Sequence, residues 1–430
     1  MTAAAERHDR RAPGAGAAGA AGTAGTARTA GTAALAPAAP AGPVGRARAA
    51  AARLMLTRMA ARLPIWIEFP DGSVAGGGGT SAPGILLRDP DAFFARLGSG
   101  TAGFAESYMA GDWDSDDLAG LFEVLARHLA GLVPRPLRTL RRWYVPRQPA
   151  ADDATRSGAR RNIRRHYDLS DDLFALFLDP GMTYSSALFE PGDTLERAQH
   201  RKIDRLLDLT GVGPGRTVLE IGTGWGELAL RAAARGASVT TLTISRAQWA
   251  AANRRCAAAG LADRVDVQLR DYRDAEGQYD AVLSVEMIEA VGAARWPEYF
   301  AVIDRLLAPG GRAGLQAITM AHDRMLATGG GHSWIHQYIF PGGQIPSLEA
   351  ITGTLRQHTG LAVRSDLAMG QHYAQTLRQW RARFTAAAGE ADRLGFGAEF
   401  RRMWELYLAY SEGGFRAGYL DVHQLILVRQ

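Results

Sequence analysis

At Thr217-Val218-Leu219-Glu220-Ile221-Gly222-Thr223-Gly224-Trp225-Gly226, a run of strand-forming residues leads into a turn with three alternate glycines. Such glycines let a backbone approach a ligand where any Cβ would collide, and the N–H groups of the next helix start then face that ligand. The spacing is G-x-G-x-G, whereas a dinucleotide site has its third glycine one residue later. Because Glu220 suits a ligand with an amino group and a positive charge, S-adenosylmethionine fits better than NAD. The alternative is a plain βα turn in which glycine serves only the backbone geometry.

Strand and helix patterns alternate between residues 216 and 318. The predicted order is strand 217–221, helix 227–235, strand 238–243, helix 245–259, strands 265–270 and 279–285, helix 296–307 and strand 312–318. This alternation indicates the α/β class with a doubly wound parallel sheet. Ligands bind over the carboxyl ends of the strands in such sheets, which places the glycine loop, Thr243, Asp271 and residues 284–292 on one rim.

Four segments are expected along the chain. Residues 1–48, rich in Ala and Gly, predict a disordered tail, and residues 49–133 predict a small α+β domain. The arginine-rich residues 134–160 form a basic linker that either lies on a headgroup surface or is simply solvated. The α/β domain occupies residues 161–430. Within the α+β domain the predicted elements are helix 50–63, strand 65–69, strand 85–88 and a helix from the cap Asp89 to Leu97.

Composition narrows the class of protein. The 430 residues suffice for two folded domains, and the formal charge of +5 supports attraction to an anionic phospholipid surface. No pattern of aromatic and basic residues indicates nucleic-acid binding.

Cys256, the only cysteine, permits no intramolecular disulfide, and no metal site is predicted. No stretch has the apolar core of a secretory signal or membrane span, so we expect a cytoplasmic protein that contacts the inner face of the membrane peripherally.

A series of further motifs surrounds the glycine loop. They are Tyr167-Asp168-Leu169-Ser170, Asp179-Pro180-Gly181-Met182, Tyr184-Ser185, Thr243-Ile244-Ser245 with Gln248, Asp271-Tyr272-Arg273-Asp274, Ile288-Glu289, Val291-Gly292 and Tyr338-Ile339-Phe340-Pro341-Gly342. In this order they resemble the cyclopropane fatty acid synthase family. Glu106-Ser107-Tyr108-Met109 with Asp112-Trp113 is similar to the small amino-terminal domain of its phospholipid-acting members. The resemblance runs from about residue 85 to the C-terminus. It implies a class I methyltransferase-like fold with acyl-chain-binding insertions.

The chemistry that this resemblance implies is methyl transfer from S-adenosylmethionine to the cis double bond of an acyl chain in a phospholipid. Attack of the double bond on the methyl group leaves a carbocation, so the pocket needs apolar walls and a base for the final proton. Family members hold a bicarbonate ion as that base. By motif match, the residues that would line the ion here are Ser186, Glu289, Gln316, Ile318 and Tyr373.

Four positions depart from the cyclopropane-forming pattern. Ser186 stands where a cysteine is usual, Ala290 and Gln316 stand where histidines are usual, and Glu286 stands where glycine is common. The Gln316 amide and the Ser186 hydroxyl can still donate hydrogen bonds to bicarbonate. The departures leave the product open between a cyclopropane ring and a methylene branch formed after a hydride shift, and we favour the branch.

The cofactor contacts implied by the family lie on five short segments. They are Tyr184 and Ser185, the glycines Gly222, Gly224 and Gly226, Thr243 and Ile244, Gln248, and Asp271 and Tyr272. For Asp271 the alternative is a turn cap, and for Tyr373 it is core packing. Helically spaced aromatic residues between 384 and 410 favour core packing over the wall of an acyl tunnel.

We therefore expect an enzyme that methylates unsaturated phospholipid acyl chains at the membrane surface. Two alternatives remain at this stage. One is a soluble small-molecule N- or C-methyltransferase, and the other is a lipid-binding protein without catalytic activity. The sequence leaves open whether the chain forms a homodimer and whether a reductase partner acts on its product.

Overall fold

A seven-stranded mixed sheet forms the centre of the C-terminal part, in a computed structural model that describes residues 35–79, 81–132, 170–329 and 331–430. Its strands are β5 (Thr217–Ile221), β6 (Ser238–Thr243), β7 (Val265–Leu269), β8 (Tyr279–Val285), β9 (Leu307–Met320), β10 (Leu361–Ala368) and β11 (Leu420–Arg429). Their spatial order is β10-β11-β9-β8-β5-β6-β7. The pairs from β9 to β7 are parallel, and β11 pairs antiparallel with both β9 and β10. The predicted α/β fold is confirmed.

The strand order reverses between β5 and β8, since the chain moves from β5 to β6 on one side and later returns to β8 on the other. In doubly wound sheets a ligand crevice forms at this reversal, outside the carboxyl ends of the strands. The glycine loop follows β5, and residues 286–292 follow β8. Both predicted site segments therefore flank the same crevice.

Helices cover both faces of the sheet and insert between its last strands. They are α5 (Asp171–Ala175), α6 (Leu195–Thr210), α7 (Glu227–Ala234), α8 (Arg246–Ala258), α9 (Ile288–Val291), α10 (Trp296–Leu306), α11 (His322–Thr328), α12 (Trp334–Tyr338), α13 (Leu348–His358), α14 (Gly370–Ala386), α15 (Ala388–Arg393) and α16 (Ala398–Arg416). Ser245 caps α8, because its side chain accepts from the backbone N–H of Gln248. Cys256 is buried on α8.

The two antiparallel strands were not predicted. The pattern predicted a strand at 312–318, but β9 extends from Leu307 to Met320 and its outer edge pairs with β11 along nine residues. Residues 422–427 of β11 are all buried. An edge strand exposes unpaired backbone N–H and C=O groups, and the pairing with β11 satisfies these groups on β9. Helices α14 and α16 in turn contact β11.

The N-terminal part contains a small four-stranded sheet with helices. Its strands are β1 (Trp66–Glu68), β2 (Val74–Ala75), β3 (Gly84–Leu87) and β4 (Trp113–Asp114), in the order β2-β1-β3-β4. Its helices are α1 (Gly42–Ala60), α2 (Pro90–Leu97), α3 (Thr101–Ala110) and α4 (Leu118–Leu132). Asp89 caps α2 as predicted, accepting from the N–H of Ala92.

Helix α1 begins earlier than the sequence indicated. The predicted helix covered 50–63, and the predicted tail reached residue 48, whereas the observed helix starts at Gly42. Pro43 occupies its first turn, where the missing N–H costs no hydrogen bond. Residues 1–34 and the predicted linker at 134–160 lie outside the described residues.

The N-terminal helices α3 and α4 pack against α16, and the described residues from 35 onward belong to one compact unit. Arg402 of α16 donates to the carbonyl oxygens of Tyr108 and Trp113, and Trp334 of α12 points its indole N–H at the sulfur of Met109. Among the helices of the described residues, none is long and apolar enough to cross a membrane.

Candidate functional site

The glycine loop has the geometry of a ligand cradle. Gly222, Gly224 and Gly226 have φ angles of 98°, 52° and 91°, a region that favours glycine. A Cβ on Gly222 would lie 2.7 Å from Cγ of Met287, and one on Gly226 would lie 3.1 Å from Cβ of Ala252. A Cβ on Gly224 would meet no protein atom within 4 Å. The loop is thus packed on two sides and open at Gly224, which fits the predicted cofactor.

Glu220 supports this loop from beneath. Its carboxylate accepts a 2.6 Å hydrogen bond from Thr241, whose Oγ1 also lies 2.8 Å from Oγ1 of Thr223 in the loop. Burial raises the pKa of Glu220 to about 8. Glu220 therefore joins β5, β6 and the loop.

The end of β6 carries a second polar group of the rim. Thr243 Oγ1 donates to Oε1 of Gln248 over 3.0 Å and accepts from the N–H of Ser245 over 3.1 Å. Thr243 and Gln248 are both buried, and Ile244 between them is half-buried. The structure therefore brings together the three residues predicted here, on one turn between β6 and α8.

Asp271 acts as a cap in this structure. It accepts from the backbone N–H of Arg273 and forms a salt bridge of 2.5 Å with the Arg273 guanidinium. Tyr272 packs edge-on against Tyr299, with ring centroids 5.6 Å apart, and burial raises the pKa of Tyr272 to about 12. Asp271 therefore forms the turn cap that was its alternative interpretation, and its predicted contact with the cofactor stays a prediction.

Tyr184 and Ser185 lie on the segment that precedes α6, and both have buried partners. The Tyr184 ring stacks on Trp380 at 5.2 Å, and its hydroxyl lies 2.7 Å from that of Tyr407. Ser185 Oγ accepts a 2.6 Å hydrogen bond from Nζ of Lys202, which is fully buried. Their predicted contacts with the cofactor stay predictions.

A buried carboxylate occupies the centre of the predicted ion pocket. Oε1 of Glu286 accepts from the backbone N–H of Ser186 over 2.9 Å and from Nε2 of Gln316 over 2.8 Å. Its Oε2 accepts from the hydroxyl of Tyr373 over 2.9 Å. Three of the five residues predicted to line a bicarbonate ion are therefore gathered around the side chain of Glu286.

A chain of amides orients Gln316 toward this carboxylate. Arg205 donates to Oε1 of Gln424 over 2.7 Å, and Nε2 of Gln424 donates to Oε1 of Gln316 over 2.9 Å. The Gln316 amide nitrogen is thereby left to face Glu286 and the carbonyl oxygen of Ser186. β11 thus contributes to the site through Gln424.

Glu289 and Ile318 meet beside this group. The backbone N–H of Ile318 donates to Oε1 of Glu289 over 2.5 Å. Oε2 of Glu289 is buried without a hydrogen-bond partner in the described part of the chain. Burial, followed by the charge of Glu286, raises the pKa of Glu289 to about 8.

The surrounding residues do not fit a bicarbonate ion as they stand. The donors of Gln316 and Tyr373 and the backbone N–H of Ser186 are already engaged by Glu286. The Ser186 hydroxyl, expected to face the ion, instead donates to the carbonyl oxygen of Ala187 over 3.1 Å. The pocket already contains a carboxylate at the position where the ion was expected.

Aromatic side chains pack around Tyr184. Their ring centroids lie 5 to 7 Å apart in a continuous cluster of Phe174, Phe177, Tyr184, Trp380, Phe384, Trp404 and Tyr407. Phe340 joins it through Tyr407 at 5.7 Å. The residues of α16 that pack here as core are Met403, Trp404, Leu406 and Tyr407, whereas Tyr410 is 44% exposed. The aromatic rings of this cluster give the site apolar, π-rich walls.

Sequence reasoning missed Glu286, Lys202 and Gln424 as site residues. Two features of the sequence could have indicated Glu286 and Lys202. Glu286 follows β8 directly, at the sheet edge where a ligand was expected, and Lys202 is the only lysine in the chain. No local pattern marks Gln424, because its role depends on the unpredicted pairing of β11 with β9.

Comparison with known proteins identifies close relatives. The profile of the family described as mycolic acid cyclopropane synthetase matches residues 154–425. The chain is 52% identical over 393 residues to the tuberculostearic acid methyltransferase UfaA1 of Mycobacterium tuberculosis, covering 89% of this chain and 92% of that protein. It is 36% identical to the cyclopropane-fatty-acyl-phospholipid synthase of Escherichia coli K12, covering 82% of this chain and 89% of the relative.

A solved structure gives the same result. The mycolic acid cyclopropane synthase CmaA1 complexed with SAH and CTAB is 32% identical and superposes with a TM-score of 0.58. The match covers 65% of this chain and 98% of CmaA1. The resemblance stated from the motifs is therefore confirmed.

Proposed function

This chain belongs to the mycolic acid cyclopropane synthetase family, and we propose that it methylates the cis double bond of an acyl chain in a phospholipid to give a methylene branch. It is an S-adenosylmethionine-dependent methyltransferase of the cyclopropane synthase type. One observation carries the proposal. A buried carboxylate with three hydrogen-bond donors follows β8, next to the glycine loop and against an aromatic wall.

The site suits the charge changes of this reaction. When bound, S-adenosylmethionine supplies an electrophilic methyl group on a positively charged sulfur. Gly224 leaves room for this cofactor at the loop, while Met287 closes the space behind Gly222. The aromatic wall excludes water and stabilises a developing carbocation through its π-faces. In this proposal the carboxyl groups of Glu286 and Glu289 stabilise the developing positive charge.

The methylene product is favoured by two separate points. The relative at 52% identity is named a tuberculostearic acid methyltransferase, and this chain departs from the cyclopropane-forming pattern at Ser186, Glu286, Ala290 and Gln316. In both products the final proton leaves the new methyl group. Its removal before a hydride shift closes the ring, and its removal after the shift gives the branch. We infer that the four changes delay proton removal until after the shift.

A phospholipid substrate is favoured by the N-terminal part. The E. coli relative, whose name specifies fatty-acyl-phospholipid, matches 354 residues of this chain. This match is longer than the segment 154–425 that the family profile matches, so it includes part of the N-terminal sheet and helices. The excess of basic residues supports contact with an anionic headgroup layer.

The test uses purified protein, S-adenosylmethionine with a deuterated methyl group, and vesicles of dioleoyl phospholipid. We expect acyl chains that gain one carbon with two deuterium atoms, and NMR signals of an exocyclic methylene group. Upfield ring signals in place of these signals would assign the cyclopropane product. The matched control is Gly224→Val, which places a branched side chain at a positive φ angle and fills the open face of the loop.

The alternative functions give different outcomes. Label found only in small amines or other soluble acceptors would identify a small-molecule methyltransferase. Vesicle binding without label transfer would identify a lipid-binding protein. Either result would contradict the proposed function.

A further inference from the structure

The loop 179–186 between α5 and α6 contributes two of the predicted cofactor contacts and has a fixed conformation. Within it, the buried carboxylate of Asp179 accepts a 2.8 Å hydrogen bond from the backbone N–H of Gly181. From α6, Nε2 of Gln199 donates to the carbonyl oxygen of Ser185 over 2.8 Å. The loop is therefore fixed by its own aspartate at one end and by α6 at the other.

One side chain of α8 joins this loop to the glycine loop. Nη1 of Arg255 donates to the carbonyl oxygen of Gly181 over 2.8 Å and to that of Trp225, inside the glycine loop, over 2.9 Å. Its Nη2 donates to Oε2 of Glu227, at the start of α7, over 2.6 Å. A single guanidinium group therefore connects the loop 179–186, the glycine loop and α7.

A second connection between the two loops is aromatic. The ring of Phe174 on α5 lies 5.1 Å from the ring of Tyr184 and 5.1 Å from that of Trp225, measured between centroids. The indole N–H of Trp225 also donates to the carboxylate of Asp171 over 2.9 Å. Together with the contacts of Arg255, these side chains fix the separation of the two loops.

The polar connection is closely packed. A Cβ on Gly181 would lie 2.6 Å from Oδ2 of Asp179 and 3.1 Å from Cγ of Glu227, so the absence of a side chain permits this approach. His200 of α6 contacts the other carboxylate oxygen of Glu227 at 3.2 Å. A lysine could not make the contacts of Arg255, because an ammonium is a point charge whereas a guanidinium presents a planar fork of donors.

We propose that Arg255 is a positioning residue for the cofactor, and that its guanidinium sets the distance between the two loops that enclose S-adenosylmethionine. The inference rests on the proposed function, to which this cofactor belongs. Arg255 acts through the carbonyl groups of Gly181 and Trp225. Because these groups are fixed, the N–H groups of the glycine loop and the side chains of Tyr184 and Ser185 are directed at the same ligand.

The expected effect is on binding more than on the methyl transfer itself. A cofactor that has to order two loose loops loses the free energy of ordering them, so its affinity falls. The demethylated product, S-adenosylhomocysteine, has every part of the cofactor except the methyl group, so its affinity should fall to a similar degree. Loss of the arginine should therefore raise KM for the cofactor more than it lowers kcat.

Two variants test the proposal. Arg255→Lys keeps the charge and removes the fork, and Arg255→Ala removes both and leaves a gap that a guanidinium ion can fill. The matched control is Arg264→Ala. Arg264 also donates to a backbone carbonyl, that of Gly236, but it directly precedes β7 at the amino ends of the strands, away from the rim.

Calorimetry with S-adenosylmethionine and with S-adenosylhomocysteine measures both dissociation constants without an acyl substrate. We expect Arg255→Ala to raise each by roughly 10- to 100-fold, the equivalent of one charge-assisted hydrogen bond. Arg255→Lys should bind with an affinity between those of Arg255→Ala and the wild type. The affinity of Arg264→Ala should stay within about twofold of the wild type.

Chemical rescue separates a missing guanidinium from general damage. Millimolar guanidinium ion should restore part of the cofactor affinity of Arg255→Ala. Ammonium ion at the same concentration should not, because only guanidinium presents the planar fork.

Hydrogen exchange reports on the two loops directly. In the wild type, cofactor should slow exchange in both 179–186 and 222–226. In Arg255→Ala without cofactor, both segments should exchange faster than in the wild type, while residues 265–269 of β7 should exchange at the same rate. Thermal unfolding shows which variants fold, and if Arg255→Ala does not, Arg255→Lys alone still has to bind the cofactor more weakly than the wild type.

Three results would overturn the proposal: wild-type cofactor affinity in a folded Arg255→Ala, wild-type affinity in Arg255→Lys, or faster exchange spread evenly over the chain. If the wild type binds the cofactor but methylates no acyl chain, the proposed function fails instead. The binding comparison then still decides whether Arg255 positions the two loops.

Discussion

Lys202 is buried among carboxyl groups, which is unusual for a lysine. Its ammonium lies 2.6 Å from the Ser185 hydroxyl, and the charges of Glu286, Asp179 and Glu220 all act on it. Burial nevertheless lowers the pKa of Lys202 to about 8. The ammonium is thus present below about pH 8, where it offsets the cost of ionising Glu286 inside the protein.

Replacing Lys202 by methionine should shift the pH dependence of turnover. Without the ammonium the pKa of Glu286 rises, so a higher pH is needed to form the carboxylate. We expect the acid limb of the pH–rate profile for Lys202→Met to move to higher pH by about one unit or more. The measurement is turnover across pH 5 to about 9 with saturating cofactor.

The control for this variant is Arg254→Met, which removes one cation from the surface, where the Arg254 side chain is 70% exposed. Its profile should match that of the wild type. Thermal unfolding checks that both proteins fold. An unshifted acid limb in folded Lys202→Met would show that Lys202 does not position the charge of Glu286.

The sequence predicted that several residues converge, and it did not predict what they contact. Ser186 on the segment before α6, Gln316 on β9 and Tyr373 on α14 all donate to the carboxylate of Glu286, so they converge on one point. The motif match could not show that a carboxylate occupies that point. Glu286 reaches it through a positive φ angle, and a backbone conformation is set by the packed environment and not by the local sequence.

Among the elements, the bounds of the buried parallel strands were predicted correctly, and the antiparallel strands were not predicted. β5, β6 and β8 begin and end where the apolar runs indicated, since parallel strands buried on both faces produce continuous apolar stretches. β10 and β11 were missed. In β10 exposed and half-buried residues alternate, and β11 is recognisable only through its pairing with β9.

Helix α16 connects the N-terminal part to the rest of the molecule through Arg402. This side chain donates to Tyr108 O and Trp113 O over 2.5 and 2.6 Å, pairs with Asp114 at 2.8 Å, and stacks over the Tyr108 ring at 4.1 Å. Because several partners share one guanidinium, its removal leaves two carbonyl groups without their donor.

Arg402→Ala should therefore lower the free energy of unfolding by about 1–3 kcal/mol. Urea denaturation measures this change, and limited proteolysis should show faster cleavage within α3 and β4. The control is Arg393→Ala, whose side chain is 72% exposed and pairs with Glu390, and which should change stability by no more than about 0.5 kcal/mol. Equal stability of the two variants would contradict the assigned role of Arg402.

At the scale of the whole molecule, charge distinguishes a membrane-surface enzyme from a soluble one. The chain carries a formal charge of +5, and the stretch 134–160 is rich in arginine. That stretch lies outside the described residues. A basic segment near an anionic leaflet gains about 1 kcal/mol per residue and loses it as salt screens the attraction.

We expect the protein to bind vesicles that contain anionic phospholipid, and to bind purely zwitterionic vesicles at least about tenfold less tightly. Binding and turnover should both fall as salt rises toward about 1 M, where the Debye length is about 3 Å. Replacing Arg135, Arg138, Arg141 and Arg142 by glutamine should weaken vesicle binding. Turnover on a detergent-dispersed substrate should stay unchanged, because these residues act on the surface and not on the chemistry.

The matched control replaces four exposed arginines elsewhere and so makes the same change in net charge. They are Arg58, Arg62, Arg254 and Arg393. If attraction depends on the basic stretch, only the first set weakens binding strongly. If both sets weaken it equally, the overall charge alone attracts the protein. Binding that is independent of salt and of headgroup charge would instead favour the alternative that residues 134–160 are a solvated linker.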